Sequence, residues 1–126
     1  MPTVLIVEDE ENIRELVTLN LTKRGYQTLG AGTVPDGFDV LQRTHPQLLI
    51  VDIRMPDASG WELLRRIDDD PHLAKLPVVI MTASTLKMDD EYSYPNVVGR
   101  LVKPFEITEL LQIAETGLRG FGSMFA

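Results

Sequence analysis

Short apolar runs alternate with amphipathic stretches along this chain. Val4–Val7, Leu48–Val51 and Val78–Met81 are nearly continuous in apolar residues, which is the pattern of strands covered on both faces. Tyr26–Leu29 and Val97–Val102 are weaker runs of the same kind. Between them the period changes. Ile13, Leu16, Val17 and Leu21 recur at helical spacing, and Lys23-Arg24-Gly25 offers cations for a last turn with glycine just after it. Thr33 with Asp36, and Ser59 with Glu62, have the spacing of capping boxes at helix starts. Pro46 closes the first of these units and Asp68-Asp69-Asp70-Pro71 the second. Ile107, Leu110, Leu111 and Ala114 mark a last helix, expected to fray at Gly117 and Gly120. The stretch LKMDDEYSYPN (86–96) stands where a fourth helix belongs, but its apolar stripe is weak and it carries Pro95. It predicts a short or irregular helix.

Strand and helix therefore alternate five times. That order predicts an α/β fold, a doubly wound five-stranded parallel sheet with helices on both faces. The length of 126 residues fits one domain. The domain is placed at 1–119, with the Gly-rich GFGSMFA (120–126) as a flexible tail.

Composition narrows the class. Hydrophobic residues are 44% and charged residues 25%, a globular balance. The apolar runs are too short to cross a bilayer, and no basic segment precedes the first of them, so a cytoplasmic protein away from membranes is expected. There is no cysteine, hence neither disulfide nor thiolate metal site. The net charge is −7 and the twelve Lys and Arg are scattered, which argues against direct nucleic-acid binding.

In open α/β sheets ligands bind outside the carboxyl ends of the strands. The first strand runs into Glu8-Asp9, the third ends in Asp52, the fourth in Thr82 and the fifth in Lys103-Pro104. Carboxylates, a hydroxyl and an ammonium would converge at one edge. Glu8, Asp9 and Asp52 are oxygen ligands suited to Mg²⁺, whose charge would offset their mutual repulsion. A carboxylate so placed can act as a nucleophile on phosphorus, with the cation, Lys103 and Thr82 taking the phosphoryl oxygens. Taken singly each residue has a plainer role. Glu8 and Asp9 could be first-turn acids, Thr82 a strand end and Lys103 a solvated lysine. Asp57 reads as a turn residue in MPDASG, Met55 and Trp61 as packing, and His45 and His72 as solvated loop residues.

The stretches VLIVEDEE, LLIVDIRMPDASGWELL, PVVIMTA and LVKPF, in that order, resemble the receiver domain of two-component response regulators, of the single-domain, chemotaxis-regulator-like kind. The resemblance covers about residues 3 to 118. It implies a flavodoxin-like (βα)5 fold with strand order 2-1-3-4-5. It implies that Asp52 accepts a phosphoryl group from a histidine kinase or phosphotransfer protein, with slow autodephosphorylation and no other enzyme activity. Asp9, Asp52 and the backbone carbonyl of Arg54 would hold Mg²⁺ directly, and Glu8 through a water. Lys103 would pair with the phosphoryl group, Thr82 would be the switch hydroxyl, and the Lys103-Pro104 bond would be cis. Arg54 and Ser84 would tune phosphoryl lifetime. A downstream protein would bind the 86–118 face, the chain being a monomer or weak dimer.

One position departs from the family. Arg100 stands three residues before Lys103, where receivers carry an aromatic switch residue, so coupling is expected through a salt bridge, with Asp89-Asp90-Glu91 as the candidate partner. The alternatives are a receiver cut from a larger regulator and a phosphatase of the haloacid dehalogenase type. The latter needs an acid two residues after the nucleophile, where Arg54 stands. A pseudo-receiver is opposed by the intact set of site residues. Nucleotide binding lacks a glycine-rich loop after the first strand.

Overall fold

The computed structural model describes residues 2–54, 59–83 and 96–125, and side chains through Arg119. Five parallel strands form one sheet: β1 (Thr3–Val7), β2 (Gln27–Ala31), β3 (Leu48–Asp52), β4 (Val78–Thr82) and β5 (Val97–Val102). Their order is β2-β1-β3-β4-β5. The described helices are α1 (Glu11–Lys23), α2 (Val34–Thr44), α3 (Gly60–Asp68) and α4 (Ile107–Phe125). This is the flavodoxin-like doubly wound arrangement. The helix expected over 86–96 lies outside the described residues, apart from Asn96.

Alternation along the strands builds two cores. Leu5, Val7, Leu49, Val51, Val78 and Ile80 pack with α2 and α3 through Leu41, Leu63, Leu64 and Ile67. Val4, Ile6, Leu48, Ile50, Val79 and Met81 pack the other way, against Val17 and Leu21 of α1 and Leu110 and Ala114 of α4. β1, β3 and β4 are buried on both faces, which is why they read as unbroken apolar runs.

The helix ends follow the local chemistry with some changes. Thr33 caps α2, its hydroxyl accepting from the Asp36 N–H at 3.2 Å. Ser59 caps α3, but its hydroxyl accepts from the Trp61 N–H at 3.1 Å, one residue earlier than a capping box would use. Gly25, with φ 99°, takes the left-handed conformation just beyond α1.

Two helix expectations need correction. Leu16 is 44% exposed, because the buried stripe of α1 runs through Val17 and Leu21, four residues apart, and Leu16 sits a hundred degrees off it. The last helix does not stop at Gly117 or Gly120; it continues to Phe125. Gly117 is a packing residue: a Cβ there would stand 3.2 Å from Val98 and 3.4 Å from Leu48, so its absence lets the helix lie close on the sheet.

Candidate functional site

β1, β3, β4 and β5 all point their carboxyl ends to one edge. The chain leaves β1 into Glu8, whose N–H donates to the Ala31 carbonyl at 3.0 Å. This bond extends the β1–β2 pairing one residue past the strand, and Glu8 is fully buried. Asp52 is the last residue of β3, opposite Met81, and is 3% exposed. Thr82 is buried at the end of β4 opposite Val102. Its carbonyl accepts from the Lys103 N–H at 2.7 Å, which carries Lys103 over the same edge. The Lys103–Pro104 peptide bond is cis.

The side chains then meet. Lys103 Nζ donates to Glu8 Oε1 at 2.6 Å and to Asp52 Oδ2 at 2.9 Å. Asp52 Oδ1 accepts from the Arg54 N–H at 3.0 Å. Both carboxylate oxygens of Asp52 are therefore held by donors from different parts of the chain. The Asp52 main chain is held as well. A Cβ on Gly60 would stand 2.4 Å from the Asp52 carbonyl oxygen, and the Gly60 N–H donates to the Ile53 carbonyl at 2.8 Å. Only glycine lets the start of α3 approach this closely.

Burial sets the electrostatics. It pushes the Glu8 carboxyl up to about 7; contact with Asp52 acts in the same direction and Lys103 opposes it. For Lys103 burial acts downward, but hydrogen bonds and charge from Glu8 and Asp52 outweigh it, and the ammonium is held above its usual range. Glu8, half-buried Asp9 and Asp52 each offer one oxygen, all within 4.8 Å of one another. An all-carboxylate set of this spacing fits a hard divalent cation such as Mg²⁺. The penalty on ionised Glu8 is the kind of charge imbalance that a cation relieves.

The remaining sequence-predicted residues are distributed as follows. Arg54 is exposed, and its backbone faces the site through the bond to Asp52. Arg100 is exposed on β5, opposite Ile80; Asp89, Asp90 and Glu91, its expected partners, lie outside the described residues. So do Met55, Asp57 and Ser84. Trp61 packs against the core beneath α3. His45 and His72 are exposed in the loops that precede β3 and β4. Sequence reasoning passed over Arg14, which donates from Nη1 to the Glu8 carbonyl at 2.7 Å. Its only trace in the sequence is the pair of glycines in LGAG of β2 and its exit, whose purpose is invisible without the fold.

Comparison with known proteins agrees with this architecture. Residues 4–115 match the family model described as the response regulator receiver domain. The chain is 30% identical to the transcriptional regulatory protein AfsQ1 of Streptomyces coelicolor, over 98% of this chain and 59% of that protein, so it spans little more than half of AfsQ1. It is 34% identical to the polar-differentiation response regulator DivK of Brucella ovis, over 71% of this chain and 72% of DivK. Among solved structures, the chemotaxis response regulator CheY4 of Vibrio cholerae superposes with a TM-score of 0.88 at 27% identity, covering 94% of this chain and 99% of that one. The response regulator TrrA of Thermotoga maritima, in complex with Mg²⁺-BeF, gives 0.81 at 28% identity over 92% of this chain and 98% of that one. Fold, converging site and family match lead to one statement: the chain belongs to the response regulator receiver family, whose members are signalling switches of two-component systems.

Proposed function

We propose that this chain is a phosphorylation switch in which Asp52 accepts a phosphoryl group in a Mg²⁺-dependent reaction, and that the modified domain changes its protein contacts. The observation that carries the reading is the setting of Asp52. It is a nearly buried carboxylate at a strand end, with an ammonium 2.9 Å from one oxygen and two further carboxylates beside it. A purely structural ion pair would not need three acids for one lysine.

The donor is a phosphohistidine of a histidine kinase or phosphotransfer protein. An Asp52 oxygen attacks phosphorus and a P–O bond forms. The P–N bond breaks, and its electron pair stays on the imidazole nitrogen, which then takes a proton. Lys103 pairs with the phosphoryl oxygens, exchanging part of its contact with Asp52 for a charge-assisted bond to the new dianion. The Thr82 hydroxyl donates to a second oxygen and so couples the end of β4 to the modification. Asp9 and Asp52, with the Arg54 carbonyl, would hold the cation directly and Glu8 through a water; bound there, Mg²⁺ supplies neutralisation of charge on the transferring group. The Mg²⁺-BeF complex of TrrA, in which beryllofluoride stands in for a phosphoryl group, supports this assignment by likeness.

In the reverse direction water attacks phosphorus, the P–O bond to Asp52 breaks, and inorganic phosphate leaves a regenerated carboxylate. This slow loss resets the switch, with Arg54 and Ser84 governing access of water. The output is a downstream protein bound by the 86–118 face, with Arg100 replacing the family's usual aromatic in the coupling.

Intact mass after incubation with Mg²⁺ and acetyl phosphate tests the reading. One phosphate is expected on the wild type, and none without Mg²⁺ or in Asp52→Asn. Absence of any adduct, together with no change in Trp61 fluorescence on adding beryllofluoride, would overturn it.

A further inference from the structure

Arg14 points its charge at an unusual target. It lines a cleft together with Asp36, Asp39 and Arg43, so carboxylates are near. Yet among the described residues it forms no ion pair, and its Nη1 donates to the main-chain carbonyl of Glu8 at 2.7 Å. An arginine whose guanidinium is directed at one peptide oxygen is fixing that peptide. The other side of the same residue is fixed too, since the Glu8 N–H is bonded to the Ala31 carbonyl at 3.0 Å. Glu8 is thus clamped at both of its backbone polar groups, immediately before Asp9.

The route of the side chain is built into β2 and its exit. A Cβ on Gly30 would stand 3.2 Å from Arg14 Cδ, and one on Gly32 would stand 3.3 Å from Nη1. Neither glycine needs its conformational freedom, since neither takes the left-handed backbone that Gly25 takes. What both provide is room. Gly30 admits the stem of Arg14 and Gly32 admits its guanidinium.

We infer that Arg14, seated over Gly30 and Gly32, is a positioning residue for the cation site: by holding the Glu8 carbonyl it sets the peptide from which the Glu8 and Asp9 carboxylates reach into the site. The inference rests on the reading of that site as a Mg²⁺ site. It deepens that reading, because it names a residue that touches neither cation nor phosphoryl group and yet governs their binding. Outer contacts that orient metal ligands commonly change affinity by tenfold or more.

Charge and positioning predict opposite signs here. Removing a cation near three acids strengthens attraction for Mg²⁺ by Coulomb's law alone. Losing the clamp weakens Mg²⁺ binding. Arg43, in the same cleft but ion-paired to Asp39 on the surface, controls for the charge.

The experiment is a Mg²⁺ titration followed by Trp61 fluorescence for the wild type, Arg14→Met, Arg14→Lys, Arg43→Met and Gly32→Ala. Arg14→Met keeps the apolar stem and is expected to bind Mg²⁺ about tenfold more weakly, with Arg14→Lys recovering part of the loss. Arg43→Met is expected to bind no more weakly than the wild type. Should Arg14→Met fail to fold, Gly32→Ala carries the test: its methyl, 3.3 Å from Nη1, crowds the guanidinium, and weaker binding is expected with Arg14 still present. Affinity in Arg14→Met, or in Gly32→Ala, equal to or tighter than that of the wild type would overturn the inference while leaving the Mg²⁺ site intact. A wild type that does not respond to Mg²⁺ would instead overturn the site reading, and this inference with it.

Discussion

Lys103 lies closer to Glu8 than to Asp52. Its Nζ is 2.6 Å from Glu8 Oε1 and 2.9 Å from Asp52 Oδ2, and Glu8 is the more deeply buried acid. The lysine therefore serves as counter-charge for both acids. On the proposed function, phosphorylation chemistry and stability share one ammonium.

Lys103→Met separates the two roles. Breaking a buried pair commonly costs 3–5 kcal/mol because a charge is left without compensation. The cost here is expected to be smaller, about 2 kcal/mol, since Glu8, already raised to about 7, can take a proton instead. Urea unfolding of the metal-free protein at neutral pH measures it. Adding Mg²⁺ is expected to recover part of the lost stability, while phosphorylation by acetyl phosphate is lost. An unchanged urea midpoint would show that the bridge contributes no net stability.

The raised Glu8 carboxyl gives a pH dependence of definite sign. Unfolded, Glu8 ionises near 4.5; folded, near 7. Between these values the folded chain holds a proton that the unfolded chain has released. Its contribution to stability is therefore fully present below 4.5 and is lost as pH rises through about 7. The full change corresponds to roughly 3 kcal/mol. Lys103, raised as well, loses its contribution only above 10.5 and does not act in this window. Urea midpoints from pH 4.5 to 7.5 in the presence of chelator should fall more steeply for the wild type than for Glu8→Gln. Parallel curves would show that Glu8 does not titrate there.

The site residues were legible in sequence because each follows an apolar run, nearly continuous in the first, third and fourth strands and weaker in the fifth. Val7, Val51, Met81 and Val102 end those runs, and parallel pairing brings whatever comes next to one edge. Long-range complementarity was not legible. Gly60 looks like an ordinary turn glycine until the Asp52 carbonyl is found where its Cβ would be. Gly117 looks like a helix breaker until Val98 and Leu48 are found beneath it. Leu16 joins the apolar pattern on spacing, but the sheet meets only the Val17–Leu21 stripe. Local chemistry predicts elements and caps. It says nothing of which side chain must be missing so that two elements can touch.

Gly60→Ala tests such a contact next to Asp52, the proposed nucleophile. The added methyl would meet the Asp52 carbonyl oxygen at 2.4 Å and the Ile53 Cα at 2.9 Å, both backbone atoms that cannot swing aside. Overpacking against backbone is expected to cost about 3 kcal/mol. Because relief requires Asp52 itself to shift, phosphorylation should slow further than the folded fraction explains. Thermal unfolding with phosphorylation rates corrected for folded protein checks this. A rate that follows the folded fraction alone would mean that Asp52 keeps its position.

Asn96 provides the opposite case, a polar residue whose loss should affect stability alone. It is 7% exposed, and its Nδ2 donates to the Leu76 carbonyl at 2.9 Å while its own carbonyl accepts from the Val78 N–H at 2.9 Å. It thus ties the start of β5 to the entry of β4, at the amino ends of the strands. Asn96→Ala leaves the Leu76 carbonyl without its side-chain donor and is expected to cost about 1–3 kcal/mol. Asn96→Asp should cost more, since the carboxylate cannot donate to that carbonyl and brings charge into a buried position. Neither change touches the edge that holds Glu8, Asp52 and Lys103. The Mg²⁺ affinity read from Trp61 should therefore match the wild type at temperatures where the variants are folded. A large loss of affinity in Asn96→Ala would show that the two ends of the sheet are coupled through β4 and β5.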